Sequence, residues 1–329
     1  MLQRRQPAPS DRSPARATRR RSLLVAGALT LLLTACGSVL GSAPRATPSA
    51  AGGCTGGSLQ VVAHQDDDLF FMSPDLLHDL GIQRERCIRT VFLTAGDAGY
   101  GQDYWSARER GMEAAYAEAA KVPDTWESSS FTASGHQVLV RTLVPRRTVS
   151  LVFLRLPDGM PGGEGSDQQH HQSLPKLLDG RIPDMTAVDG SATYTAAGLR
   201  DELVALMDDA RPALIRTTDF VHPIGDGDHG DHHAAAYLTR DASRRADVEH
   251  RILSYQGYPV KDKPKNVGAD DLALKTAVYD TYQGFALPSE PMWRPAWLYR
   301  QYVVADTQVP AATAPASVDT SPYRPGPGE

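Results

Sequence analysis

The chain has 329 residues, 22% of them charged, and a formal net charge of −5. A negative balance without a basic patch argues against nucleic acid as a partner. About 250 residues remain between two low-complexity ends, enough for a single well-buried domain. In chain order, the residues up to Arg21 are basic and rich in Pro, Arg and Ser, and Ser22 to Leu33 is an uncharged apolar run too short to span a bilayer comfortably. Gly37 to Gly53 is a Ser/Ala/Pro/Gly/Thr tether that cannot bury enough surface to fold. The domain, expected over 54–309, opens with an apolar strand at Leu59–Val62 and a helix from Pro74 to Gly81. A second strand, Ile88–Leu93, ends in the loop Thr94–Gly99, and a helix follows from a Ser106 cap to Ala120. Strands are predicted at Gln137–Val140 and Val149–Leu154, then a long loop from Pro157 to Asp189. Leu199–Met207 reads as a helix, Ala213–Thr217 as a strand and His232–Thr239 as a helix. A late strand at Ile252–Tyr255 and a late helix at Asp270–Tyr279 precede a Pro-rich tail over 310–329. Helices interleaved with apolar strands predict an α/β layered sandwich with a mostly parallel sheet.

The basic segment and apolar run form an export signal, and they lead into Leu33-Thr34-Ala35-Cys36, which resembles the lipobox of bacterial lipoproteins. Cys36 is then the lipidated first residue of the mature chain, and 1–36 is a signal peptide with its lipobox. A plain signal peptide with an incidental cysteine is the alternative. Arg20-Arg21-Ser22-Leu23-Leu24 also resembles a twin-arginine signal, so either export route stays open. Export puts the other two cysteines, Cys54 and Cys87, in a disulfide-permissive setting. Each stands just ahead of a predicted strand. If those strands are parallel neighbours, their starts lie close enough for a bridge.

Two acidic-histidine clusters carry the chemistry: His64-Gln65-Asp66-Asp67-Asp68 and His229-Gly230-Asp231-His232-His233. Both lie beyond apolar strand candidates, and in an open α/β sheet the ligand crevice lies outside the carboxyl ends of the strands. Imidazoles and carboxylates are what a catalytic zinc takes, three from protein with a position left for water. Surplus acids and a further histidine can then act on that water. Taken singly, each cluster also reads as a solvated turn or a capping element. His233 competes with its neighbour His232 for the ligand role. His78, His136 and His250 read as surface or core histidines, and nothing in the sequence fixes His170, His171 or His222 at a site.

The first cluster resembles the Ala-His-Pro-Asp-Asp-Glu signature of the PIG-L/LmbE-like deacetylases, zinc enzymes acting on N-acetylglucosamine conjugates. The second resembles that family's His-Pro-Asp-His element. Thr94–Gly99, Arg110 with Glu113, and Leu156–Gly159 are also similar to stretches of the family. The resemblance implies a Rossmann-like three-layer α/β/α sandwich and one Zn2+ per chain, other divalent metals being usable. It implies His64, Asp67 and His232 as ligands and Asp66 as general base. His229 stabilises or protonates the intermediate, with Asp231 orienting it. Asp97, Arg110 and Asp158 become candidate sugar contacts. Gln65 and Asp68 depart from the family's Pro and Glu, and Gly225–Asp228 stands where some members carry a tyrosine near the carbonyl. Export points away from intracellular substrates, towards an N-acetylated envelope or foreign glycan or glycoconjugate. Two other classes fit part of the pattern: a non-haem iron triad of His-x-Asp and a distant His, usual in jelly-roll β proteins, and a catalytically silent sugar-binding lipoprotein.

Overall fold

A computed structural model describes residues 53–285 and 296–312. The expected signal segment with Cys36, almost all of the tether, and the tail beyond 312 lie outside the described residues.

Five parallel strands form the middle of the sheet: β1 (Ser58–Val62), β2 (Ile88–Thr94), β5 (Val149–Leu156), β8 (Leu214–Thr217) and β9 (His250–Tyr255). Two antiparallel strands, β3 (Trp126–Ala133) and β4 (His136–Leu143), continue it at one edge, and β10 (Val303–Val309) closes the other. The spatial order is β10-β9-β8-β1-β2-β5-β4-β3, and a short hairpin, β6 (Met185–Thr186) with β7 (Thr193–Tyr194), stands apart from it. The fold is therefore the Rossmann-like α/β sandwich with a mostly parallel sheet. Helical layers on both faces remove the jelly-roll setting of the iron-triad alternative.

The layers follow from the two-residue period of the strands. Leu59 and Val61 face one core with α4 (Leu174–Leu178), α5 (Ala196–Ala210) and α6 (Gly230–Ser243). Val62, Ile88 and Phe92 face the other, with α1 (Asp67–Phe71), α2 (Asp75–Ile82), α3 (Gln102–Ala120) and α7 (Ala269–Gln283). From β1 the chain proceeds to β2 on one side, while β8 pairs with β1 on the other, Ser58 opposite both Ile88 and Leu214. The strand order thus switches at β1/β8, where such sheets open a ligand crevice. Ser58 opposite Ile88 also sets the starts of two parallel strands side by side. Cys54 and Cys87 are disulfide-bonded there, with 5.7 Å between Cα atoms. In the chain-entropy model a loop of this length stabilises by about 3–4 kcal/mol.

The structure departs from the expected elements in several places. α3 starts at Gln102 after Gly101, one turn before Ser106, which is therefore not the cap. β3 was not expected, because its Ser-rich outer face is exposed and only Phe131 and Ala133 are buried. α6 begins at Gly230, two residues before the expected His232, and its cap is the His229 side chain, which accepts the Asp231 N–H.

One buried acid on α5 lies outside any site. Glu202 is fully buried, neither carboxylate oxygen has a hydrogen-bond partner, and His136 Nδ1 stands 3.8 Å away. Burial pushes its pKa up to about 8. The folded state therefore keeps this proton when an unfolded chain has lost it. Its stabilising contribution is complete below the ordinary glutamate pKa of about 4.3 and is lost as pH rises towards about 8. Glu202→Gln should leave the melting temperature nearly unchanged at pH 4 and raise it by several degrees at pH 8.5. An equal shift at both pH values in thermal denaturation would contradict this account.

Candidate active site

The turn after β1 builds half of the site. Asp66 takes φ 102°, a left-handed conformation that few side chains adopt without strain. That turn lets the Asp67 carboxylate fold back to accept the His64 N–H at 2.7 Å while Asp67 opens α1. Both departures from the family signature have partners here. Gln65 donates from Nε2 to the Thr94 carbonyl, tying the turn to the end of β2. Asp68 accepts the Tyr116 hydroxyl and the Leu69 N–H, and burial raises its pKa to about 7.

α6 supplies the other half. Asp228 Oδ1 lies 2.7 Å from His232 Nδ1. A carboxylate only accepts, so Nδ1 carries the hydrogen and the Nε2 lone pair points inward, the usual arrangement behind a metal-binding histidine. His232 Nε2 stands 3.0 Å from Asp67 Oδ1, and His64 Nδ1 stands 3.4 Å from Asp67 Oδ2. Neither His64 Nε2 nor His232 Nε2 has a hydrogen-bond partner, although both are buried. One donor atom each from His64, Asp67 and His232 fits within 4.8 Å of the others. Buried, unpartnered imidazole nitrogens among the Asp67, Asp158 and Asp231 carboxylates suit a divalent cation such as zinc. Electrostatics agree: burial lowers the His232 pKa, but Asp67 and Asp228 overcome that and lift it to about 10, while Asp67 is held well below the usual carboxylate range by His232 and His64. The site attracts positive charge.

His64 is shared with a second group of His229, Asp158 and Asp231. Asp158 Oδ2 and Asp231 Oδ2 lie 3.6 and 3.4 Å from His64 Nε2, and His229 Nε2 lies 3.7 Å from Asp158 Oδ1. Asp231 does not orient His229 through its carboxylate, which is 3.9 Å from Nδ1 and accepts the Gly159 N–H at 2.6 Å instead. A Cβ on Gly159 would meet Asp231 Oδ1 at 2.4 Å, so the loop after β5 needs glycine to close on α6. It is the Asp231 backbone N–H that donates to His229 Nδ1. That contact fixes the neutral tautomer with its hydrogen on Nε2. Burial and the neighbouring His64 lower the His229 pKa to about 4, which favours the neutral ring.

These groups meet in a cleft of about 300 Å³ walled by Phe70, Phe71, Tyr104, Tyr258, Tyr279 and Trp297, with Asp66, Arg108, Asp158 and His229 also lining it. Asp66 Oδ1 accepts from Arg108 at 3.1 Å. Arg108 also donates to the Gln65 and Gly96 carbonyls. Burial raises the Asp66 pKa to about 6 even though Arg108 opposes the shift.

The expected sugar contacts divide. Asp158 lines the cleft. Asp97 is fully buried and accepts the Asp158 and Gly99 N–H groups, so it shapes the loop and makes no contact with the cleft. Arg110 is paired with Glu113 and Asp124 and is about half exposed; two residues earlier on α3, Arg108 is the arginine in the cleft. His233 turns away from this centre, its Nδ1 at 2.8 Å from the Asp219 carbonyl and its Nε2 at 3.0 Å from Asp226. Arg108, Asp228 and Tyr258 were not singled out from sequence. An Asp four residues before a ligand histidine at a helix start was the available signal for Asp228.

An α/β sheet with this donor set at its switch point belongs to the class of α/β proteins built to take a divalent cation beside a small-molecule cleft. The profile of one family, described as PIG-L: GlcNAc-PI de-N-acetylase, matches residues 59–243, and the chain belongs to that family. Comparison with curated proteins finds no match. Among solved structures, a conserved protein of Thermus thermophilus is similar, with TM-score 0.39, 17% identity, and 69% of this chain and 78% of that one covered. The zinc-inhibited form of a teicoplanin deacetylase gives 0.39 and 15%, covering 68% and 83%. The 4-carboxy-2-hydroxymuconate hydratase GalB of Pseudomonas putida KT2440 gives 0.38 and 13%, covering 70% and 84%.

Proposed function

We propose that the protein is a metal-dependent hydrolase that removes N-acetyl groups from an N-acetylated sugar or glycoconjugate outside the cytoplasm. The observation that carries this reading is the buried grouping of one donor atom each from His64, Asp67 and His232 within 4.8 Å, with His232 Nε2 unpartnered beside the Asp67 carboxylate and Asp66 in the same cleft. His64, Asp67 and His232 would hold a zinc or similar ion, which would supply Lewis acidity to an amide carbonyl and to a water near neutral pH.

The chain's own groups do the rest. Asp66, lifted to about 6, accepts the proton of the attacking water at a carboxylate oxygen and returns it to the amide nitrogen as the C–N bond breaks, releasing acetate and the free amine, while Arg108 holds that carboxylate in place. His229 presents Nε2–H as a neutral donor to the oxygen that gains charge, because its Nδ1 is occupied by the Asp231 N–H. No donor to that oxygen is needed from Gly225–Asp228, the stretch where some family members place a tyrosine; its Asp228 instead holds the His229 N–H and His232 Nδ1. Asp158 lies within 4 Å of both His64 and His229 and holds negative charge beside the two rings. The aromatic walls offer flat apolar faces to a sugar ring and exclude water around the reacting amide.

The test is acetate release from a panel of N-acetylglucosamine-containing glycans by zinc-loaded, chelated and His229→Ala protein. The loaded protein should release acetate, chelation should abolish it, and zinc should restore it. His229→Ala should retain metal and lose roughly 10²–10³ in turnover, as for an oxyanion donor. No release from any N-acetylated sugar would overturn the reading.

Extracytoplasmic placement rests on the export-like start and on Leu33–Cys36, with Cys36 as the lipid-bearing residue. Cys36→Ala should move the protein from the membrane fraction to the soluble exported fraction. Unchanged membrane retention would exclude the lipid anchor.

A further inference from the structure

The loop after β2 carries an aromatic side chain that the proposed reaction does not use. Tyr100 is 59% exposed, a large ring left in solvent beside the cleft. Its centroid lies 4.7 Å from that of Tyr104, with the two rings tilted by 37°. Tyr104 is one of the walls of the cleft, and so is Ala98, two residues before Tyr100. The aromatic lining therefore continues outwards by one ring beyond the mouth.

That ring is held in place. Tyr100 donates its N–H to the Asp97 carbonyl at 2.7 Å, and Gly99 donates to the Asp97 carboxylate. Gly99 takes φ 77°, and a Cβ there would sit 3.0 Å from Ser166 Cβ, so the turn is packed against the loop that follows β5. Tyr104, on the first turn of α3, is braced in turn by the Arg108 guanidinium, 6.0 Å from its centroid. A side chain fixed before binding loses little freedom when a ligand arrives.

The size of the cleft says what the outer ring can meet. At about 300 Å³ it stands at the low end of small-molecule sites, which run from roughly 300 to 1,000 Å³. It holds one N-acetylated sugar against the His64, Asp67 and His232 donors, and any further unit of a glycan has to lie outside. A unit leaving past Tyr104 comes next to Tyr100. A pyranose presents C–H groups on its faces and hydroxyls at its rim, which matches the apolar face and polar tip of a tyrosine.

We propose that Tyr100 is a stacking platform for a second sugar unit, so that the substrate is an oligosaccharide or longer glycan rather than a single N-acetylated sugar. This rests on the reading of the cleft as the site that takes the N-acetylated unit. Tyr100 lies outside the metal donors and the Asp66 base, so it sets which substrate is held and takes no part in the chemistry.

The experiment compares N-acetylglucosamine with its β-1,4-linked oligomers on the zinc-loaded full chain. The oligomers should exceed the monosaccharide in kcat/KM by roughly 3–10-fold, the worth of one aromatic contact. Tyr100→Ala should abolish that margin through KM, with zinc content as in wild type, and Tyr100→Phe, which keeps the ring, should retain it. Calorimetric titration of the same sugars into Asp66→Asn and Asp66→Asn/Tyr100→Ala protein reads the platform without turnover. The trisaccharide should bind Asp66→Asn more tightly than the monosaccharide by a similar factor, and the double variant should lose the difference. Equal binding of monosaccharide and trisaccharide to Asp66→Asn, or a difference that survives Tyr100→Ala, would overturn the platform. No acetate from any of these sugars, with the difference in binding intact, would uphold the platform and overturn the deacetylase reading instead.

Discussion

His232→Ala is expected to lose the metal of the cleft and to fall to the turnover of the chelated protein. The ring is fully buried, and its removal leaves Asp67 with His64 as its only imidazole partner in the donor set. It also strands Asp228, which holds His232 Nδ1 and at the same oxygen accepts the His229 and Tyr258 N–H groups. The loss should therefore exceed that of a ligand alone, because His229 and Tyr258 are positioned through the same carboxylate. Asp228→Asn separates these effects. Its amide oxygen can still accept the backbone N–H groups, but its hold on His232 weakens, which should cost roughly 10–100-fold in metal affinity rather than all of it. Elemental analysis and a chelator-competition titration check both variants. Full zinc occupancy of the cleft in His232→Ala would move the ligand role elsewhere.

The parts of this architecture that the sequence displayed are those in which burial dictates residue type. Strands covered on both faces read as apolar runs, so β1, β2 and β5 were visible, and with them the parallel sheet. β3 was not, because its outward serines lack the period-two signal and only Phe131 and Ala133 report a core. The metal donors were legible because His and Asp at the ends of strands have few other reasons to cluster. Their supports were not. Arg108 and Arg110 differ only in where α3 begins, and with the helix starting at Gln102 it is Arg108 that lies under Asp66. Asp231 looked like a partner for His229 because the two are near in sequence, yet its carboxylate is taken by Gly159, far along the chain. Contacts that depend on which distant loop arrives, such as Asp158 against His64 or Tyr258 beside His232, leave no local pattern to read.

Asp66→Asn should keep its metal and lose roughly 10²–10⁴ in kcat, the contribution of a positioned base. The conformation makes this substitution cleaner than the more drastic Asp66→Ala. Asp66 sits at φ 102°, where alanine is strained and asparagine is among the few residues that enter left-handed conformations readily. Alanine would therefore disturb the turn that carries Asp67 to the metal, and its effect on activity would mix lost base with a misplaced ligand. Asparagine keeps an oxygen for the Arg108 contact at 3.1 Å and so leaves the turn, the arginine and the neighbouring donors where they are. What it removes is the capacity to take a proton. Because that capacity is used only as the transition state forms, kcat should fall while KM stays within a few-fold of wild type. Zinc content, kcat and KM measured on the same preparation decide the matter. Wild-type turnover at full occupancy would mean that some other group takes the proton, and an empty metal site would mean that Asp66 holds the ligand turn rather than the proton.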